Sequence, residues 1–404
     1  MKVPFMRWID FWVVIPICFA LSIINWPIKY FRKQQKPKKI LFLELSEMGS
    51  TMLAYSAMKK AKERFGAELF FMIFKENEAS IRLLDIIPDE NVITIRSKSF
   101  GVFFTDIIHA IFKMRSLKID TVIDLELFSR FTAILSFLSG ARQKVGFFKY
   151  HMEGLYRGNF LTNKVTYNPH IHISENFMAL VYSLEEDTSV KPLLKRAIKK
   201  EEIYTAKIRS SDEEKRIILQ KIQELNPGFS SSSKIILLNP NASQLLPIRR
   251  WPIKNFCELA KMTLEHDKKA FVLITGTQAE KPDAKEICDY AQSKRCIDFT
   301  GRTSFKELID LYNVSRILVT NDSGPAHFAS LTEISIIAIF GPETPHLYSP
   351  LSKNCTCVYS NYACSPCVSA FNHRKTPCTE SKCLEAIRPE EVFRILRQQL
   401  NSSP

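Results

Sequence analysis

Short apolar runs alternate with amphipathic stretches along most of this chain. Residues 39–45, 68–74, 92–95 and 121–124 are apolar runs of strand length. Between them, the stretch from Met48 to Gly66 and a second near residues 102–114 carry helical spacing. Residues 174–184 read as a further helix. The alternation returns after a charged, aperiodic passage at 190–210. There 234–239, 270–275, 296–299, 317–320 and 334–340 read as strands, with helices near 253–266, 282–291 and 304–311 between them. Charged amphipathic helices at 212–225 and 389–400 open and close this second set. Strands that alternate with helices form a parallel sheet covered by helices on both faces. The expectation is an α/β protein of two such domains, at 40–195 and 211–404, joined by a linker at 196–210.

The first 39 residues break the pattern. Phe11–Ile28 is nearly all apolar, interrupted by Pro16, Ser22 and Asn25, with Trp12 and Trp26 near its ends. Aromatic residues in such places anchor helices at a membrane interface. A span needs about 20 apolar residues, so this run is at the lower limit. Lys29, Arg32, Lys33, Lys36, Lys38 and Lys39 follow and suit anionic lipid heads. Three readings stand open: a helix lying in the interface, a spanning helix, and an amphipathic helix packed on the protein itself. In each, residues 1–39 are an attachment segment, and the excess of basic residues places the body on the cytoplasmic side of the membrane.

Composition adds one constraint. The formal net charge is +14 over 404 residues, which favours anionic partners such as nucleotides, phosphorylated glycolipids or an anionic membrane surface. No nucleic-acid signature accompanies it. Of ten cysteines, Cys18, Cys257, Cys288 and Cys296 sit in apolar settings. The other six form C-x-C-x6-C-x2-C-x10-C-x4-C from Cys355 to Cys383. Cys364, Cys367, Cys378 and Cys383 are weak candidates for a tetrahedral metal site, with disulfides the other possibility. No cleavable signal with a small-residue processing site precedes them, which points to a reducing compartment.

The densest chemical signal is 317–342, ILVTNDSGPAHFASLTEISIIAIFGP. It reads as strand, sharp turn, short helix, strand. Asp322 and Ser323 are good caps, Gly324 admits close approach to the backbone, and Pro325 fits a first helical turn. A helix start at the carboxyl end of a parallel strand is an ordinary cap or a phosphate site. Asp322-Ser323-Gly324, His327 and Gly341-Pro342-Glu343-Thr344-Pro345 together resemble the nucleotide-sugar site of glycosyltransferase family 9, the lipopolysaccharide heptosyltransferases. The resemblance covers residue 39 to the C-terminus.

That resemblance implies a GT-B architecture: two Rossmann-like parallel-sheet domains facing a central cleft. It implies inverting transfer of a heptose from an ADP-linked donor to a hydroxyl of a lipopolysaccharide core acceptor, with no cofactor. By the same resemblance, backbone N–H groups of the segment Asp322 to Ala326, which includes Ser323, Gly324 and Pro325, hold pyrophosphate, and Asp322 orients donor hydroxyls. His327 is either a donor contact or a satisfied core histidine, Glu343 is a further donor contact, Glu280 binds the ribose, and Thr300 and Gly301 line the nucleotide pocket. Arg249 stands where the family has a phosphate-binding lysine; arginine keeps the charge and offers a planar fork. The family's first turn is S-x-x-G-D, and its aspartate is the base. Here Ser46-Glu47-Met48-Gly49-Ser50 ends in Ser50, which is no base unaided, so Glu47 on the same turn takes that role. The loop at 146–164 is either the acceptor surface or a plain connection. The alternative is a non-catalytic relative that binds nucleotide or glycolipid at the membrane, or a transferase for another nucleotide sugar.

Overall fold

A computed structural model of the chain describes residues 9–29, 35–97, 99–148, 156–242, 246–372 and 374–401. Arg32 and Lys33 of the basic run, Ser243 after the strand at 234–239, and residues 149–155 of the expected acceptor loop lie outside these. The chain divides into two compact units, Met1–Tyr204 with Ala370–Arg374, and Thr205–Ser369 with Lys375–Pro404.

Each unit is built on six parallel strands. The first holds β1 (Lys39–Leu43), β2 (Glu68–Phe74), β3 (Val92–Ile95), β4 (Thr121–Asp124), β5 (Gln143–Phe147) and β6 (Asn163–Val165), in the order β3-β2-β1-β4-β5-β6. The second holds β7 (Lys234–Asn239), β8 (Ala270–Ile274), β9 (Cys296–Asp298), β10 (Ile317–Asn321), β11 (Ser335–Phe340) and β12 (Cys355–Tyr359), in the order β12-β11-β10-β7-β8-β9. Both are the doubly wound arrangement, in which strand order reverses between the first and fourth strands. The central strands are buried along their length, as sheets covered on both faces require.

Most strands match the apolar runs within a residue or two. Three elements were not legible that way. β5 is QKVGF, whose Gln143, Lys144 and Gly146 mask the run; buried Lys144 is satisfied there by donating from Nζ to the Ala141 carbonyl at 2.8 Å. β5 and β6 therefore replace part of the expected loop at 146–164, and the Arg130–Leu138 helix precedes them. β12 lies inside the cysteine-rich segment. It pairs with β11 at the sheet edge and is only partly buried, so Cys355 and Thr356 carry no core signal.

The N-terminal apolar run forms a helix, Ile15–Lys29, behind a π-helical turn at Asp10–Val14. One side is docked: Cys18 packs with Ala133 and Phe160. Asn25 Nδ2 donates to the Asn159 carbonyl at 2.9 Å, and Asn159 N–H donates to Ser22 Oγ at 2.8 Å. Trp12, Phe19, Ile23, Ile24 and Trp26 are exposed. Among the described residues no helix is long and apolar enough to cross a membrane.

Candidate active site

In doubly wound sheets ligands bind beyond the carboxyl ends of the strands, where the order reverses. In the second unit that place lies between β7 and β10. Asn321 ends β10 and is fully buried. Its Oδ1 accepts from Trp251 N–H at 2.9 Å, and its Nδ2 donates to the carbonyls of Pro240 at 2.9 Å and Asn241 at 3.1 Å. One side chain thus fastens the loop after β7 and the start of the Ile253–His266 helix to the β10 end. Trp251 is buried and donates from Nε1 to the Ile387 carbonyl at 3.0 Å.

This frame delivers Arg249 to the next residue, Asp322. Arg249 Nη1 donates to Asp322 Oδ2 at 3.3 Å. Asp322 and Glu343 are 4% and 2% exposed. Burial pushes the Asp322 carboxyl up against the opposing pull of Arg249. Glu343 is pushed well up by burial and then by the Asp322 charge, with Arg249 again opposing. Arg249 Nε is buried with no hydrogen-bond partner among the described residues. The guanidinium therefore keeps a donor for an oxyanion beyond Asp322.

The turn at 322–326 offers fewer N–H groups than its sequence implied. Asp322 N–H donates to the Ile339 carbonyl at 2.8 Å and Ala326 N–H to the Ser323 carbonyl at 3.2 Å; Pro325 has none. Ser323 and Gly324 remain. The helix they open, Gly324–Ala329, is six residues long, so its dipole is small and the positive charge of the site rests on Arg249. His327 is buried within it and partnered.

Beside this edge, Asn239 Nδ2 donates to the Thr275 carbonyl at 3.1 Å and Asn241 Nδ2 to the same oxygen at 3.3 Å. At the next residue a side chain would have to displace its neighbours: a Cβ on Gly276 would lie 2.7 Å from Asn241 Nδ2 and 2.8 Å from Glu280 Oε2. Glu280 Oε2 accepts from Thr277 N–H at 2.6 Å in a capping box, so that oxygen serves the turn. Thr300 N–H and Oγ1 donate to Asp298 Oδ1 at 2.9 and 2.5 Å. Gly301 follows with φ +67°, a conformation that favours glycine, and its N–H donates to the Gly276 carbonyl at 2.9 Å.

The equivalent edge of the first unit, beyond β1 and β4, is acidic. Glu126 Oε1 accepts from Leu45 N–H at 3.0 Å, Ser46 N–H at 3.2 Å and Ser46 Oγ at 3.1 Å. It shapes the turn that carries Glu47. Ser50 Oγ donates to Glu47 Oε2 at 3.0 Å, and Arg374 forms an ion pair with Glu47 Oε1. Glu44, one residue past β1, is buried. Its carboxyl is raised well above the usual range by burial and the charge of Glu126, with Arg374 opposing. Asp124 and Arg157 form a fully buried ion pair; burial pushes Asp124 up to about 6 while Arg157 pulls it down. On the same unit a cavity of about 970 Å³ is lined by Tyr167, His170, Asn176, Arg196 and Phe371, among others.

Sequence reasoning named Glu47, Ser50, Arg249 and Asp322. It missed Asn321 as the bracket, and Glu44, Asp124, Glu126, Arg157 and Arg374 in the first unit. Acidic residues closing apolar strands, as in Leu43-Glu44-Leu45 and Ile123-Asp124-Leu125-Glu126, were the available signal. For the cysteines, no group of three or more His, Cys, Asp or Glu is arranged to hold a metal ion among the described residues. All ten cysteines carry free thiols; Cys364 and Cys378 are exposed, and Cys378 Sγ donates to the Glu380 carbonyl at 2.9 Å.

Two doubly wound parallel sheets, with an arginine on a buried carboxylate at the switch point of the second, define the GT-B class of glycosyltransferase fold. The solved structure of E. coli ADP-heptose lps heptosyltransferase II superposes with a TM-score of 0.68 at 19% identity, over 90% of this chain and 98% of that one. E. coli heptosyltransferase WaaC with ADP superposes with a TM-score of 0.60 at 14% identity, over 89% and 99%. At such identities these likenesses speak to fold. The model of glycosyltransferase family 9 (heptosyltransferase) matches residues 110–376, well over half the chain, and the protein belongs to that family. Lipooligosaccharide heptosyltransferase 2 of Campylobacter jejuni is 30% identical over 188 residues, 45% of this chain and 56% of that protein. The chain spans about half the length of the curated relatives it matches most strongly.

Proposed function

We propose that the protein is a heptosyltransferase that moves a heptose from ADP-heptose to a hydroxyl of a lipopolysaccharide or lipooligosaccharide core, with inversion. The observation that carries this reading is the half-buried Arg249 beside the buried carboxyls of Asp322 and Glu343 at the β7/β10 switch point. Arg249 has an orphaned Nε–H to place on a diphosphate, and Asp322 and Glu343 are carboxyls available to sugar hydroxyls. The names of the relatives support the donor: the solved neighbours carry ADP or an ADP-heptose analogue. The second unit takes the nucleotide sugar, with Ser323 and Gly324 N–H on the diphosphate, Gly276 and Gly301 admitting close approach, and Glu280 on the ribose. The first unit takes the glycolipid, for which the 970 Å³ cavity is the candidate receptacle. The N-terminal helix holds it at the anionic cytoplasmic face of the membrane.

In the reaction, Glu47 accepts the proton of the acceptor hydroxyl. The freed oxygen forms the bond to the anomeric carbon as the bond to the diphosphate breaks, and ADP departs with its developing charge on Arg249. Ser50 and Arg374 hold one Glu47 oxygen each. A carboxylate offers about four lone-pair positions, so both oxygens keep an acceptor site and the side chain is fixed in direction. The same contacts favour a second reading, in which Glu47 is a structural anion and the protein binds nucleotide without turnover.

Release of ADP from ADP-heptose, with and without a truncated lipopolysaccharide acceptor, separates the two. Acceptor-dependent release that Glu47→Gln abolishes supports the transferase with Glu47 as base. Calorimetric binding of ADP with no release at all refutes it in favour of the binding protein.

A further inference from the structure

The Phe100–Ser116 helix carries a pattern that the site does not use. Its inner side, Phe103, Ile107, Ile111 and Met114, packs in the core of the first unit. Its outer side shows Phe100, Phe104, Ile108 and Phe112, one residue per four, all exposed, with Phe104 at 56% and Phe112 at 68%. Residues four apart stack along one face of a helix. Leaving three phenylalanine rings in water along one stripe forgoes the burial of several large apolar side chains, and such stripes mark interaction sites.

The stripe has a neighbour of the same kind. Phe103 meets Phe131 of the Arg130–Leu138 helix, with ring centroids 5.5 Å apart. The other side of that helix, through Ala133, Ile134 and Phe137, meets the N-terminal helix at Cys18 and Leu21. The three helices therefore lie side by side in one layer of the first unit. The two outer ones both present exposed apolar side chains: Phe100, Phe104 and Phe112 on one, Ile17, Phe19 and Ile23 on the other.

We propose that this layer is a bilayer-docking platform, in which the Phe100–Ser116 helix inserts its phenylalanine stripe beside the N-terminal helix into an anionic phospholipid surface. Charge identifies the occupant. Lys36, Lys38, Lys113, Arg115, Lys118 and Arg142 are exposed at one end of the layer. Arg115 Nε donates to the Leu138 carbonyl at 2.9 Å, which joins the ends of the long helix and the Arg130–Leu138 helix, and Arg142 Nη1 donates to Gln35 Oε1 at 2.6 Å in the loops beyond. On the long helix itself the one acidic residue, Asp106, is paired with Arg96 at 2.8 Å. An apolar face with a basic rim complements anionic headgroups above an acyl layer. A second copy of a chain of net charge +14 would bring two basic rims together, against their repulsion. The proposal rests on the membrane-facing part of the reading above and adds a second, separately testable insertion element.

The test is flotation of the full chain with vesicles of phosphatidylcholine containing about 30% phosphatidylglycerol. The probes are the double variant Phe104→Glu with Phe112→Glu and, separately, Ile17→Glu with Ile23→Glu. Each double variant should float about tenfold less than the parent, melt at the parent's temperature, and release ADP from a soluble truncated acceptor at the parent's rate. Added salt and pure phosphatidylcholine should each weaken flotation of the parent. Parent-like flotation of the Phe104/Phe112 variant overturns the proposal and leaves the N-terminal helix as sole anchor. Flotation equal on neutral and anionic vesicles also overturns it. So does a concentration-dependent dimer of the parent that does not float and that the variant loses, since the face is then a self-contact. Loss of ADP release in the parent, with flotation intact, would strike the catalytic reading and leave the platform standing.

Discussion

Replacing Arg249 by alanine removes the guanidinium that faces two buried carboxyls. Taking away one partner of a buried ion pair costs about 3–5 kcal/mol. Here the Arg249 side chain is 15% exposed and makes one 3.3 Å contact with Asp322 rather than a fork, so the loss falls lower, at about 2–3 kcal/mol. For a domain of 150–250 residues each kcal/mol moves Tm by about 2–4 °C, and the second unit should melt about 5–10 °C lower. The loss depends on pH with a definite sign. Asp322 and Glu343 are already raised in the folded protein, and Arg249 is what restrains them. Without it both rise further. A carboxyl raised on folding costs no stability below its unfolded value and costs progressively more as pH climbs from there toward the folded value. The gap between parent and variant should therefore be small at about pH 5 and wider at about pH 8. Calorimetry with ADP supplies an independent reading. Losing a hydrogen bond to a charged group, worth about 1.5–3 kcal/mol, weakens Kd about ten- to hundredfold, and Arg249→Lys, which keeps the charge, falls between. Scanning fluorimetry at the two pH values and titration with ADP test all of this. A variant whose Tm deficit is equal at both pH values, or whose ADP affinity is that of the parent, refutes the account of Arg249.

Two further substitutions probe the frame around each edge. Asn321→Ala removes three buried hydrogen bonds and orphans Trp251 N–H with two carbonyls; Tm should fall by the equivalent of about 2–4 kcal/mol, and a fall under about 1 kcal/mol would show that the loop after β7 is held by other means. Arg374→Ala releases Glu47 while leaving the second unit untouched, so acceptor-dependent kcat should drop about tenfold or more with the Kd for ADP unchanged; a change in ADP affinity alone would contradict that assignment.

The strands were readable because parallel sheets buried on both faces demand unbroken apolar residues, as in Ile235–Leu238 and Ile336–Ile339. β5 escaped because Lys144 hides inside it with its ammonium bonded to the Ala141 carbonyl, and β12 because an edge strand needs no apolar run. The site was half legible. Asp322 announced itself through the turn chemistry around it, and the resemblance supplied Arg249. Their pairing spans 73 residues of sequence, and local spacing carries no trace of such a contact. Arg374 gave no signal at all: one arginine in a polar, cysteine-rich stretch looks like any solvated charge until the fold brings it to Glu47.

The segment Ala370–Arg374 gives the first unit a split inheritance. The gene writes that unit in two passages: the codons for Met1–Tyr204, and five more, for Ala370–Arg374, that fall inside the portion encoding the second unit. Those five are not filler. Phe371 lines the large cavity and packs its ring 5.8 Å from Phe128 and 5.6 Å from Tyr167, and Arg374 supplies the cation on Glu47. A hybrid joined at Tyr204–Thr205 from two relatives would place one parent's glutamate opposite whatever the other parent carries at 374. Recombination that swaps the second unit therefore also swaps a piece of the first. Positions 47 and 374 are coupled through one ion pair, although they lie far apart in the sequence.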